Sequence, residues 1–213
     1  MSGADIRKQL AVYLVMGLEP VLGRSPVELA GEALSGGVTM LQLREKNLPL
    51  SEVLETGREL RELCRKHEVP FLVNDRVDVA LLLDADGVHV GQEDIPAVYA
   101  RKLMGPGKII GVSAGTPEEA EQAVRDGADY LGVGSIYATS SKADAGEAIG
   151  TALISEIKER WNVPQVAIGG ITAANAGPVI QAGADGVAVI SAITRSTDPR
   201  EAAAILKKSV MSA

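Results

Sequence analysis

Eight times along this chain a short run of apolar, largely branched residues gives way to a longer amphipathic segment. The apolar runs fall at 11–16, 38–43, 70–74, 87–90, 108–113, 129–134, 164–169 and 185–190, bounded mainly by glycine, proline and polar residues. Short runs of this kind read as strands buried on both faces, the condition of a parallel sheet covered by helices. The intervening segments, 25–35, 51–68, 77–84, 96–104, 117–126, 150–161, 172–182 and 199–211, are read as helices. Thr116-Pro117-Glu118-Glu119 places a cap residue, a proline and two acids at one helix start, and Asp198-Pro199 opens the last helix in the same way.

A weak internal repeat sharpens this reading. The sequences DADGV (84–88), GADYL (127–131) and GADGV (183–187) each stand between a helix and a strand. Gly127 and Gly183 are placed to end a helix in the left-handed conformation, after which an Asp precedes the strand. Repeated βα units with short joins imply a parallel sheet, open or closed. Eight units in 213 residues leave about 27 residues each, close to the roughly 200-residue lower end for a closed (β/α)8 barrel. A doubly wound dinucleotide-binding sheet is the alternative, but it asks for GxGxxG after the first strand, where this chain reads AVYLVMGLEPVLG. No linker or low-complexity tract divides the chain. The reading is therefore α/β, a single TIM-barrel catalytic domain over residues 1–213.

Composition removes several classes of function. A net charge of −7 argues against nucleic-acid binding, and 3% aromatic content leaves little for base stacking. No run approaches the roughly 20 apolar residues of a membrane span, and MSGADIRKQL has no signal-peptide core. The one cysteine, Cys64, lies in the helical pattern LRELCRKH, so a packed thiol and a cytoplasmic location are expected. The expected partners are small molecules, with no nucleic acid and no membrane, while a homo-oligomer is left open.

In a barrel the active site is built at the C-terminal ends of the strands. Gln42, Arg44 and Lys46 follow the second strand in one phase of the period-two alternation. Asn74 and Asp75 follow the third strand, Gln92, Glu93 and Asp94 the fourth, and Ser113 ends the fifth. The sixth runs into a long segment, 135–148, which holds Thr139, Ser140, Ser141 and Lys142 and is read as a lid. Gly169-Gly170 and Ile190-Ser191 end the last two strands, where barrels often bind phosphate. Arg44, Lys46 and Lys142 can neutralise an anion, and Asp75 with Asp94 suits Mg²⁺ shared with substrate phosphates. Singly, each motif has a plainer explanation as a charged turn, a cap or a tight connection; their coincidence at successive strand ends points to function. His89, inside a strand, is expected to satisfy a core hydrogen bond, and His67 to be exposed on a helix. No Ser/His/Asp set is evident, so positioning and charge stabilisation are the expected chemistry.

The segments LQLREK (41–46), FLVNDRVDVALLLDADGVHVGQED (71–94), GVSAGT (111–116), DYLGVGSIYATSSK (129–142), AIGGIT (167–172) and GADGVAVISAI (183–193) closely resemble the thiamine-phosphate synthase family. The resemblance implies a (β/α)8 barrel that joins an aminopyrimidine methyl diphosphate to hydroxyethylthiazole phosphate, or its carboxylated form. Thiamine phosphate forms and diphosphate leaves in a dissociative, Mg²⁺-assisted substitution. By motif, Gln42, Arg44, Lys46, Asn74, Ser113 and Lys142 would hold the pyrimidine diphosphate, with Arg44, Lys46, Ser113 and Lys142 as the catalytic set. Asp75 and Asp94 would bind Mg²⁺, and Thr139, Ser140, Ser141, Gly170, Ile190 and Ser191 would hold the thiazole phosphate. The chain departs from the family at GSIYATSSK, where Ser135 and Ala138 replace two prolines and Ala143 replaces a lysine. Competing readings are a thiazole tautomerase of the same superfamily and a non-catalytic thiamine phosphate-binding protein. Neither needs the full diphosphate-handling set.

Overall fold

The computed structural model describes residues 3–141 and 146–213. Its centre is a closed barrel of eight parallel strands in sequential order. These are β1 (Val12–Met16), β2 (Met40–Leu43), β3 (Phe71–Asn74), β4 (Gly87–Val90), β5 (Ile109–Ala114), β6 (Tyr130–Val133), β7 (Gln165–Ile168) and β8 (Gly186–Val189). The helices are α1 (Gly3–Gln9), α2 (Pro26–Ser35), α3 (Leu50–Lys66), α4 (Val77–Leu82), α5 (Ala97–Met104), α6 (Pro117–Arg125), α7 (Ala152–Arg160), α8 (Ala176–Gln181), α9 (Ser191–Thr194) and α10 (Pro199–Met211). All eight expected strands form. The helix starts at Thr116 and Asp198 are capped as read: Thr116 Oγ1 accepts from Glu119 N at 3.2 Å and Asp198 Oδ1 from Glu201 N at 2.9 Å.

Alternation along each strand sorts side chains into two cores. Val12, Leu14, Leu41, Phe71, Val88, Ile110, Leu131 and Val187 face the helices, while Tyr13, Met40, Leu72, Ile109, Tyr130, Val166 and Ala188 fill the barrel. Cys64 is buried in the outer layer, where burial pushes its thiol up to about 12; His67 is exposed. Two helices lie outside the expected set. The first, α1, sends Ile6 into the barrel's lower core, a single apolar contact too sparse to make a periodic pattern. The other, α9, is one turn directly after β8. The helix expected from 172 starts only at 176, because Asn175 Oδ1 accepts from Thr172 N at 2.7 Å and holds a turn there.

The repeated aspartates close the N-terminal end of the barrel. Asp86, Asp129 and Asp185 each precede an even-numbered strand and accept an N–H at the start of the strand before it. The donors are Phe71, Ile110 and Gln165, at 2.8–2.9 Å. Each aspartate N–H returns a bond to the same residue's carbonyl. Thr39 does the same for Val12 before β2, making four copies of one device. The helix ends before these residues carry positive φ at Gly37, Asp84, Gly127 and Gly183, so the left-handed ends expected at 127 and 183 are present.

Candidate active site

At the opposite end, the predicted residues that are described lie at or beneath one mouth. β2 stops at Leu43, so the period-two phase alone does not aim Arg44 and Lys46. Glu45 orders this stretch instead. Its carboxylate accepts N–H bonds from Leu18, Lys46, Asn47 and Leu48 at 2.9–3.3 Å. Burial opposes its ionisation, but these four amides hold it below the usual carboxylate range. Glu45 therefore ties the loop after β2 to the loop after β1. An acid between Arg44 and Lys46 was the available sequence signal.

Lys46 Nζ reaches Asp75 Oδ2 at 3.4 Å. Asp75 follows β3 with φ +60°, a left-handed conformation that Asp tolerates better than most residues. Burial, then the hydrogen bond and charge of the Asp94 carboxylate, push Asp75 up to about 6 against the opposing pull of Lys46. Asp94 is held in turn by Gly91 N–H at 2.8 Å. Asn74, at the end of β3, is half-buried beside this pair.

Two cavities open at the mouth. One, about 360 Å³, is bordered by Ser135, Thr139–Ser141, Gly169–Thr172 and Ile190–Ser191. Gly170 has φ +63°, and a Cβ there would stand 2.6 Å from the Ala138 carbonyl oxygen, so only glycine admits this close crossing. Ser141 Oγ lies 3.0 Å from Ser191 Oγ, joining the loop after β6 to the end of β8. The second cavity, about 330 Å³, is bordered by Gly17, Arg44, Lys46 and Arg195. Ser141 and Ile190 border both cavities. Ser135–Tyr137, the beginning of the segment read as a lid, is fixed: Ile136 N–H donates to Ile168 O and Tyr137 N–H to Gly169 O. Lys142 lies outside the described residues.

Gln42 and Ser113 point into the barrel beneath this mouth. Gln42 Nε2 donates to Tyr13 Oη at 2.6 Å, Tyr13 and Tyr130 hydroxyls are 2.9 Å apart, and His89 stands between Tyr130 (Nδ1, 2.8 Å) and Ser113 (Nε2, 2.9 Å). His89 thus makes the core hydrogen bonds expected of it. The two tyrosines were missed, although a hydroxyl-bearing residue on the inward phase of an apolar strand is a visible signal. Among the described residues no three or more His, Cys, Asp or Glu cluster to hold a metal; Asp75 and Asp94 form a pair.

Eight parallel strands closed in sequential order, with two cavities meeting at the C-terminal mouth, define a (β/α)8-barrel enzyme. A family profile described as thiamine monophosphate synthase matches residues 12–193, and the chain belongs to that family, whose members are transferases of thiamine biosynthesis. It is 54% identical over 202 residues to thiamine-phosphate synthase of Moorella thermoacetica, covering 95% of this chain and 96% of the relative. It is 50% identical over 217 residues to the Geobacillus kaustophilus protein of the same name, covering 100% and 97%. A solved thiamine phosphate pyrophosphorylase from Pyrococcus furiosus is similar with TM-score 0.87 and 43% identity, covering 97% of this chain and 98% of that one. No helix among the described residues is long and apolar enough to cross a membrane.

Proposed function

We propose that this chain condenses an aminopyrimidine methyl diphosphate with hydroxyethylthiazole phosphate, yielding thiamine phosphate and diphosphate, or with its carboxylated form, yielding the same two products and CO2. The pair of adjoining cavities carries the reading. A pocket of hydroxyls and glycine backbone suits a phosphate monoester, and the compartment beside Arg44 and Lys46 suits a diphosphate. Their junction at Ser141 and Ile190 brings two reactants side by side, so proximity replaces covalent catalysis.

The bond from the pyrimidine's exocyclic methylene to the diphosphate oxygen breaks, and its electron pair leaves with diphosphate. The amino group of the ring spreads the positive charge that develops, which favours a dissociative course. The thiazole nitrogen then donates its lone pair to the methylene, forming the new C–N bond. That nitrogen has no proton to lose, so no general base is needed. This agrees with a His89 whose ring nitrogens both face core partners. Arg44, Lys46 and, by motif, Asn74 and Lys142 hold the diphosphate, while Gln42 and Ser113 hold the pyrimidine. Thr139, Ser140, Ser141, Gly170, Ile190 and Ser191 hold the thiazole phosphate. A closed mouth excludes water, which would otherwise capture the pyrimidine as an alcohol.

Asp75 and Asp94 fit a hard divalent cation: two carboxylates face each other, and one is forced toward its protonated form against the opposing pull of Lys46. They would hold Mg²⁺, which when bound supplies charge neutralisation for the diphosphate leaving group. A single buried thiol suits a reducing, cytoplasmic setting. The test is to mix both phosphorylated heterocycles with Mg²⁺ and the folded enzyme. Thiamine phosphate and diphosphate in equal amounts are expected; thiazole isomerisation alone, or no product, would overturn the reading.

A further inference from the structure

The hydrogen-bond chain beneath the mouth has a fixed direction. Gln42 Nε2 can only donate, so Tyr13 accepts from it and must place its own proton on Tyr130, its other hydrogen-bond partner. Tyr130 then has one proton left to give, and the acceptor 2.8 Å away is His89 Nδ1. His89 must therefore carry its proton on Nε2 and donate it to Ser113 Oγ at 2.9 Å. Reversing the chain would leave the Tyr13 hydroxyl proton without an acceptor. Tyr13 and Tyr130 are 1% and 0% exposed, so water cannot repair that loss.

The strands are shaped to admit these rings. A Cβ on Gly111 would fall 2.1 Å from Tyr130 Cζ, and one on Gly132 would fall 2.8 Å from His89 Cε1. Two glycines inside β5 and β6 weaken strand packing and are explained by the space they give to the chain.

We infer that Tyr13, Tyr130 and His89 are positioning residues that present an acceptor at Gln42 Oε1 and a donor at the Ser113 hydroxyl, and so select an aminopyrimidine over its oxo counterpart. This rests on the proposed function, in which Gln42 and Ser113 hold the pyrimidine. With Nε2 committed to Tyr13, the Gln42 carbonyl oxygen is the atom that can accept from a ring amino group. With His89 donating to it, Ser113 is left with its proton to give to an unprotonated ring nitrogen. An oxo pyrimidine reverses both requirements: its oxygen accepts and its ring N–H donates. Such inversion is penalised heavily in a site with fixed polarity, because both partners are left unpaired.

The test uses the unreactive aminopyrimidine methyl monophosphate and its oxo counterpart, so binding is read without turnover. By calorimetry the amino compound should bind the wild-type enzyme about a hundred-fold more tightly, and Tyr130→Phe should reduce that preference at least about ten-fold. In ¹⁵N-histidine NMR, wild-type His89 should be neutral with its proton on Nε2, and Tyr130→Phe should lose this single tautomer. Tyr13→Phe provides the same two readings should Tyr130→Phe not fold. A wild-type His89 protonated on Nδ1, or a variant with unchanged amino preference, would overturn the inference. Binding of neither monophosphate with the Nε2 tautomer intact would instead reject the pyrimidine site, and with it the selective role, while leaving the chain's direction established.

Discussion

The two ends of this barrel use aspartate in opposite ways. At the N-terminal end Asp86, Asp129 and Asp185 each accept a strand N–H and pair with an arginine, Arg61, Arg101 and Arg7 respectively. The arrangement closes strand ends that would otherwise present buried, unpaired N–H groups. At the C-terminal end Asp75 faces Asp94 across a shared hydrogen bond, its backbone is left-handed, and its carboxyl is raised to about 6. One set of acids is satisfied by the fold itself. In the other, two carboxylates crowd one another despite the nearby Lys46, a perturbation of the kind that clusters at functional sites.

The largest effect that separates the two sets is catalytic. Asp75→Asn, which keeps a residue tolerant of positive φ, should lower steady-state thiamine phosphate formation on the order of a hundred- to a thousand-fold without lowering the melting temperature. An equal loss of stability would place Asp75 with the structural acids. Conversely, Asp185→Ala removes the carboxylate partner of Arg7 and strands the Gln165 N–H, so urea denaturation should show a loss of about 2–4 kcal/mol at unchanged turnover per folded molecule.

A smaller effect follows from pH. The folded pKa of Asp75 lies above its unfolded value, so the native state binds the extra proton between about pH 4 and 6. Stability from this group is present below the lower value and is lost as pH rises through the upper one. In metal-free buffer the difference between wild type and Asp75→Asn should shift over that window by about 1–2 kcal/mol, discounted for a half-buried pair. A flat difference would deny the carboxylate repulsion. The smallest change is Thr39→Val, which removes the hydroxyl that accepts from Val12 N and donates to Gln9 O; a loss of about 1 kcal/mol in chemical denaturation is expected.

The strands were legible because burial on both faces imposes a compositional signature, and the three GAD-like repeats marked the helix-to-strand joins correctly. Their fourth copy at Thr39 was not, since a hydroxyl stands in for the carboxylate and the repeat is lost to the eye. The cationic and acidic residues at strand ends could be read from position alone. Glu45, Tyr13 and Tyr130 carry a visible sequence signal, but their partners are not legible, because they act through other residues. Glu45 stabilises a loop with its four amide contacts, and the tyrosines touch each other only once β1 and β6 face one another across a closed barrel. α1 escaped notice for a related reason: its worth lies in Ile6 and Arg7 meeting distant partners, not in its own sequence.

Thermal denaturation of wild type and Asp75→Asn at neutral pH, each with and without Mg²⁺ and diphosphate together, tests the contrast between the two ends most directly. The wild type should melt at a higher temperature with the pair of ligands, as linkage requires, while ligand-free Asp75→Asn should match or exceed ligand-free wild type and respond little. A wild type indifferent to both ligands, together with an Asp75→Asn variant destabilised as Asp185→Ala is, would contradict the account.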